Sequence, residues 1–320
     1  MRIIFAGNPE IAVLSLESLV NSQVSDGFCE ISAVLTNPDT MKGRKNILAP
    51  TEISRAAEIF SERLAAPLVQ LKPESIDDDF IERIAEINAD LLISFAYGTL
   101  FSRKFLSVFP KGGINVHPSL LPKYRGAAPV QQVILNGERE TGITIQRITA
   151  KLDSGDILAQ QSFPLSGRES SLSLSSIVAE KAAAMLVRVV KDIAEDKQAG
   201  TPQNESGASY CAKFTKNDGL IDWNKSACSI DAQIRAFTPW PLSWTHHKGR
   251  VLYILAGMPY HDIIDKGKTG AVLGTDKKTG ILIQTGDGVF SVSRLQYNTK
   301  KALGWKDFLN GANIIGDILE

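Results

Sequence analysis

Asp90-Leu91-Leu92-Ile93-Ser94-Phe95-Ala96 is an apolar run of strand length, and Gly113-Ile114-Asn115-Val116-His117 follows as another. Runs of this kind read as strands buried on both faces. Working outward, Arg2 to Ala6 and Ile31 to Leu35 have the same character, and Pro67 to Leu71 is a shorter candidate. Helical stretches lie between them. One runs from Pro9 to about Val20, carrying Val13, Leu14, Leu16, Leu19 and Val20, and another from Ser75 to Asn88. Gly7-Asn8-Pro9-Glu10 supplies the first turn, with Asn8 as cap and Pro9 at the first helical position. This alternation predicts an α/β fold: a doubly wound, mostly parallel sheet with helices on both faces. In such sheets ligands bind outside the carboxyl ends of the strands.

The pattern changes after Thr141. Gly142 to Ile148 alternates as a strand, Asp156 to Phe163 reads as its partner, and a long helix carries Leu174, Ile177, Val178, Met185, Leu186, Val189, Val190 and Ile193. Gln198 to Ser209 is polar and rich in Gly, Pro and Ser, as a linker is. Short strands follow at Val251–Leu255, Gly270–Leu273, Gly280–Gln284 and Val289–Val292, with turns such as Asp287-Gly288, which suggests a small β-barrel. The expected organisation is a first domain over 1–197, a linker over 198–209 and a second domain over 210–320.

At 320 residues the chain has room for two such domains, and 43% hydrophobic residues supply real cores. No apolar run approaches the ~18 residues of a membrane span. Met1 to Gly7 is too brief for a signal peptide. Cys29, Cys211 and Cys228 are scattered, with no paired spacing, which indicates a reducing, cytoplasmic setting and no zinc site. Formal charge is balanced overall, yet from Gly207 onward there are 14 Lys and Arg against 10 Asp and Glu. That is the sign expected of a surface facing phosphates, and also of ordinary variation between surfaces.

Gly7-Asn8-Pro9 lacks the later glycines of a dinucleotide fingerprint, and neither a Walker A loop nor G-x-S-x-G occurs, so phosphoryl transfer and serine hydrolysis lose their usual carriers. The chemically dense segment is Gly113 to Gly126. Strand period places Asn115 and His117 on one face at a strand's carboxyl end. His117 is the sole histidine before the linker, and reads either as a packed ring or as a catalytic group. Pro118-Ser119-Leu120-Leu121-Pro122 is turn-rich yet apolar: a wall for a flat ligand, or a packed crossover. Asp153, in Leu152-Asp153-Ser154-Gly155-Asp156, is either a hairpin residue or the carboxylate that orients a catalytic histidine.

Together these residues resemble the active-site region of the N10-formyltetrahydrofolate-dependent formyltransferases. The shared signature is an Asn, a His two residues on, an S-L-L-P loop and an Asp before S/T-G-D. Here it reads Asn115, His117, Ser119 to Pro122 and Asp153. Phe5 to Glu10 and Ala96-Tyr97-Gly98 fit as well. Thr36 to Lys45, with Lys42, Arg44 and Lys45 near its end, is similar to the basic loop of the members that act on methionyl initiator tRNA. Lys213 to Trp223 and Ile234 to Trp244 are similar to the start of those members' C-terminal domain.

The resemblance implies a Rossmann-like formyltransferase domain followed by an OB-like β-barrel. It implies Asn115, His117 and Asp153 as catalytic, Ser119, Leu120, Leu121 and Pro122 as binding the folate, and Lys42, Arg44 and Lys45 as binding tRNA. The implied reaction is direct attack of the methionyl α-amine on the formyl carbon of N10-formyltetrahydrofolate. Asn115 and His117 then donate to the oxyanion, and Asp153 pairs with His117 and takes the amine's proton. No metal is expected, and the expected state is a cytoplasmic monomer serving translation initiation. The alternative acceptor for the same donor is a sugar-nucleotide amine, which the basic loop disfavours.

Overall fold

Ile3, Ile4, Phe5, Ala6, Leu91, Leu92 and Ile93 are all fully buried. Successive side chains of a strand point to opposite faces, so these strands must be covered on both. The structure, a computed structural model describing residues 1–42, 46–261 and 267–320, sets them centrally in a seven-stranded sheet. Its spatial order is Ile157–Pro164, Glu140–Arg147, Gly113–His117, Leu91–Phe95, Arg2–Gly7, Glu30–Leu35, Val69–Leu71. The strands from Gly113–His117 to Val69–Leu71 pair in parallel, and the other two add antiparallel at one edge. The doubly wound, mostly parallel sheet expected from the sequence is therefore present.

The chain forms two compact units. The first comprises Met1–Pro129, Glu140–Pro164 and Ser175–Cys211; the second comprises Val130–Arg139, Leu165–Leu174 and Ala212–Glu320. In the first, Ile4, Ala6, Leu35 and Leu92 pack with Phe80, Ile84, Phe101 and Phe105 in one cluster. The helix Asp78–Glu86 presents Phe80 and Ile84 to it and is started by Asp77, whose carboxylate accepts from the Phe80 N–H.

Asn8 does not cap the helix after the first strand. That segment opens as a 3-10 turn over Glu10–Ala12 with no side-chain cap and continues as Val13–Ser25. Asn8 Nδ2 instead donates to the Tyr97 carbonyl, while Oδ1 accepts from the Thr36 hydroxyl at 3.0 Å and the Asn37 N–H at 2.8 Å. Its amide thus joins the loops leaving three neighbouring parallel strands, and none of its groups is left for the helix.

In the second unit an antiparallel sheet runs in the order Ser243–His247, Arg250–Tyr260, Val289–Tyr297, Gly280–Gln284, Val272–Asp276, with Leu303–Gly304 beside Val289–Tyr297. The helix Ala227–Ala236, absent from the sequence reading, is capped by the Ser226 hydroxyl and buries Ile230 and Ile234. Trp223 belongs to the same core, its indole N–H donating to the Thr245 hydroxyl at 3.0 Å, whereas Trp240 is exposed. Among the described residues no helix is long and apolar enough to cross a membrane.

Gly142, within Glu140–Arg147, is where the 119–122 loop touches the sheet. A Cβ there would lie 2.3 Å from Leu120 Cδ2 and 2.4 Å from the Gln161 carbonyl oxygen. The backbone oxygen cannot swing away, so Gly142→Ala is expected to cost about 1–3 kcal/mol of stability in urea unfolding. An unchanged midpoint would show that the strand pair shifts freely.

Candidate active site

The strand Gly113–His117 ends with its polar residues on one side. Asn115 lies opposite Gln146 on the antiparallel neighbour, and His117 lies opposite Thr144. His117 is almost fully buried and Asn115 half-buried. The ring Nε2 of His117 sits 2.8 Å from the Tyr124 carbonyl oxygen. A carbonyl only accepts, so Nε2 carries a proton and Nδ1 is the nitrogen that faces the carboxylate of Asp153, 3.5 Å from Oδ2.

Asp153 joins this pair from the turn after Glu140–Arg147. Its Oδ2 accepts from the Gly126 N–H at 2.8 Å, and its Oδ1 from Gln146 Nε2 at 3.0 Å and, more loosely, from Asn115 Nδ2 at 3.4 Å. Two non-glycine residues here hold left-handed backbone, Tyr124 at φ 60° and Asp153 at φ 48°. Such conformations cost free energy and persist only where surroundings enforce them. Both serve the histidine: one turns a carbonyl towards Nε2, the other a carboxylate towards Nδ1.

The enforcement comes from residues 203–211. Tyr210–Cys211 pairs in parallel with Arg125–Gly126, the Ser209 hydroxyl accepts from the Tyr124 N–H at 2.9 Å, and the Ser209 carbonyl accepts from the Arg125 N–H at 2.8 Å. Gly126, at φ 115°, has the Cys211 carbonyl where a Cβ would be, at 2.3 Å, so only glycine allows this approach. The side chain of Arg125 is wholly buried. It donates to Gln203 Oε1 from Nη2 (2.7 Å) and Nε (3.2 Å), to Glu205 from Nη2 (2.7 Å) and Nη1 (3.2 Å), and to the Tyr210 hydroxyl (3.2 Å). Glu205 also accepts from Lys151 at 2.8 Å, and these two cations hold its carboxyl down at about 2. The Cys211 thiol is pushed up by its burial.

Asn115, His117 and Asp153 are thus brought together. The 119–122 loop is turned largely inward. Ser119 is fully buried with its hydroxyl donating to the Lys123 carbonyl at 2.6 Å, Leu121 is buried, and Leu120 and Pro122 stay partly exposed. Of the basic residues, Lys42 ends the short strand Thr40–Lys42, which pairs with Ile47–Ala49, while Arg44 and Lys45 lie outside the described residues. The hairpin exposes Met41, Ile47 and Leu48. Gln146, Gln203 and Arg125 were not picked out as site residues from the sequence. Only Gln146 left a signal there, as a polar residue in register with Thr144 along an alternating strand. Among the described residues no group of three or more His, Cys, Asp or Glu is arranged to hold a metal.

The Formyl transferase family profile matches residues 1–190, and the Formyl transferase C-terminal domain profile matches residues 213–313. The methionyl-tRNA formyltransferase of Treponema denticola is 41% identical over 318 residues, 98% of this chain and 97% of its own. Among solved structures, the sugar 3N-formyl transferase WlaRD superposes with a TM-score of 0.65 at 20% identity, over 94% of this chain and 99% of its own. HypX from Aquifex aeolicus in complex with tetrahydrofolic acid gives 0.64 at 18% identity, over 99% of this chain and 48% of its own. These two likenesses concern the fold.

The Glu205 contacts set a pH dependence of stability. Its carboxyl falls from 4.5 to about 2 on folding, so the contribution is fully present above 4.5 and lost as pH falls towards 2. Glu205 is half-exposed and solvent screens the pairs, so the effect is modest. Thermal unfolding of the parent and Glu205→Gln is expected to differ near neutral pH and to converge in acid. A gap unchanged across that range would refute the ionic origin.

Proposed function

The chain belongs to the formyl transferase family, and from that premise we propose that it moves the formyl group of N10-formyltetrahydrofolate onto the α-amino group of methionine carried by initiator tRNA. The observation that carries this reading is the convergence of Asn115, His117 and Asp153 at the carboxyl end of a parallel strand, the edge where α/β sheets hold their ligands. The 41% identity to a methionyl-tRNA formyltransferase supports the acceptor. The likeness to a sugar formyltransferase, at 20% identity, does not favour the alternative.

The donor supplies an electrophilic formyl carbon; the remaining work falls to the chain and the amine. With a pKa of about 8, an α-amine is partly neutral and nucleophilic at pH 7. Among the described residues Asn115 Nδ2 makes one long bond, to Asp153, so it has an N–H to offer the formyl oxygen as negative charge collects there. His117 Nε2–H is committed to the Tyr124 carbonyl, so His117 donates to the same oxygen only in its imidazolium form, through a second proton on Nδ1, the nitrogen that faces Asp153 at 3.5 Å. Asp153 meets donors on both oxygens. Its role is to orient and balance His117 rather than to take the amine's proton, which leaves to solvent. Solvent in turn protonates N10, which departs as a neutral amine when its bond to the formyl carbon breaks and the oxyanion collapses to the new formamide.

Leu120 and Pro122 are the surfaces of the 119–122 loop that remain for the folate, while Ser119 and Leu121 shape the loop from within. We assign catalysis to the domain expected over 1–197 together with 198–209, which the first compact unit contains, and tRNA contact to that over 210–320. Lys42, Arg44 and Lys45 are the cations we assign to the acceptor end of the tRNA. The setting is translation initiation in the cytoplasm, with the protein acting as a monomer.

The test is incorporation of labelled formyl from N10-formyltetrahydrofolate into methionyl initiator tRNA, with elongator methionyl-tRNA and a sugar-nucleotide amine in parallel. Label on the initiator alone is expected; label on the sugar would overturn the acceptor. Loss of one oxyanion donor generally costs about 10²–10³ in rate, so Asn115→Ala is expected to lower kcat by that factor with KM for tRNA little changed. Arg44→Ala is expected to raise KM for tRNA and spare kcat. Steady-state kinetics with both substrates check each.

A further inference from the structure

Two glutamine side chains link the wholly buried side chain of Arg125 to the Asp153 carboxylate, and the direction of each hydrogen bond along that path is determined. Guanidinium groups donate and never accept. Arg125 therefore fixes Oε1 of Gln203 towards itself, through Nη2 at 2.7 Å and Nε at 3.2 Å. The Gln203 NH₂ then faces the other way. It donates to two backbone carbonyls, Asp153 at 3.0 Å and Gly155 at 2.8 Å, and to Gln146 Oε1 at 3.0 Å. With its oxygen taken, Gln146 can present only its NH₂ to Asp153 Oδ1, at 3.0 Å. A glutamine amide is nearly symmetric in shape, and its two ends are told apart only by such partners.

We infer that Arg125 and Gln203 are positioning residues for the reaction, setting the orientation of the Gln146 amide so that Asp153 is held as a hydrogen-bond acceptor facing His117. The inference rests on the formyl-transfer reading for its catalytic consequence, though not for its geometry. A reversed Gln146 amide would bring its oxygen against a carboxylate oxygen, two acceptors with no proton between them. Asp153 would then swing from Gly126 and from the histidine, or draw in a proton that makes it a donor. The Gln203 bonds to the Asp153 and Gly155 carbonyls act in the same sense, because they hold the left-handed turn from which the carboxylate projects. Gln203 touches no reacting atom. It works through Gln146 and the turn.

Gln203→Glu tests this with little change of shape. A glutamate keeps the acceptor that Arg125 needs, and has no N–H for Gln146 or the two carbonyls. Supporting residues one step from a site commonly cost 10–100-fold when removed, so kcat for formyl transfer is expected to fall by about that factor. KM for both substrates should stay within about twofold, as expected when only transition-state geometry is lost. In a Gln146→Leu background the relay is already broken, and Gln203→Glu should add less than about threefold, the mark of residues acting as one unit. A purely structural role would instead multiply through.

A second measurement is independent of activity. The side-chain amide protons of Gln146, assigned by their disappearance in Gln146→Leu, should be protected from solvent exchange in the parent and lose that protection in Gln203→Glu. Arg125→Met should lose it too wherever it folds by thermal melting; if it does not fold, Gln203→Glu carries the test. Parental kcat together with a protected Gln146 amide in Gln203→Glu would overturn the inference. A parent that transfers formyl to no acceptor would overturn the proposed function instead, and the exchange measurement would still decide the relay.

Discussion

A guanidinium removed from water needs a partner for each of its donors, and Arg125 has five N–H groups and no exposure. Gln203, Glu205 and Tyr210 meet them, and all three lie about eighty residues further along the chain. This requirement draws residues 203–211 against residues 124–126. Once they are there, Ser209 and Cys211 shape the backbone at Tyr124 and Gly126. The carbonyl that pins His117 Nε2 and the N–H that holds Asp153 Oδ2 both belong to that short segment. The cation never approaches the histidine, yet the histidine's tautomer and its carboxylate depend on how the cation is paired.

The sheet contributes the other half of the constraint. Parallel strands such as Leu91–Phe95 and Gly113–His117 deliver their loops to one edge, and the antiparallel neighbour Glu140–Arg147 sets Gln146 and Thr144 beside Asn115 and His117. Thr144 shows how tightly the edge is used. Its hydroxyl donates to the Ser119 carbonyl at 2.7 Å, and accepts from the Leu121 N–H at 3.2 Å and from Gln160 at 2.8 Å. A loop that looks in sequence like a wall for ligand is therefore partly consumed in satisfying its own buried backbone. Asn8 does the same service for three other loops.

What could be read in advance follows from which interactions are local. Buried strands announce themselves in seven residues or fewer, as Ile3 to Ala6 and Leu91 to Ile93 do, and the two-residue period alone sets Asn115 on the same face as His117. Asp153 is legible as a candidate because a histidine proposed for catalysis calls for a carboxylate and the family signature offers one. Asn8 looks like a cap in sequence because its true partners, Thr36, Asn37 and Tyr97, lie up to 89 residues away. Gln203 and Glu205 sit in a stretch whose Gly, Pro and Ser content reads as linker. Composition reports whether a segment can form a helix or strand, and says nothing of whether one amide in it is held by a buried cation. The helix Ala227–Ala236 was lost for a related reason: ten residues with a Ser cap and two buried isoleucines give too weak a period to stand out.

That distinction bears on where the catalytic part of the chain ends. The family profile for the first domain stops at residue 190, and the helix Ser171–Ala194 makes a natural-looking terminus. Yet the compact unit that contains Asn115, His117 and Asp153 runs on through Cys211. A chain stopped at 197 would keep all three residues and the whole seven-stranded sheet. It would lose Gln203, Glu205, Ser209, Tyr210 and Cys211 together, taking from the Arg125 guanidinium its hydrogen-bond partners and from the Tyr124 N–H the Ser209 hydroxyl. The strand ladders of the sheet lie within 1–164, with one bridge from Ile157 to Thr201 beyond them, whereas the candidate site draws repeatedly on residues 203–211. The sheet and the candidate site therefore have different C-terminal limits in this chain, because the sheet is built from strands that neighbour one another and the site's order comes from a cation whose partners lie late in the unit.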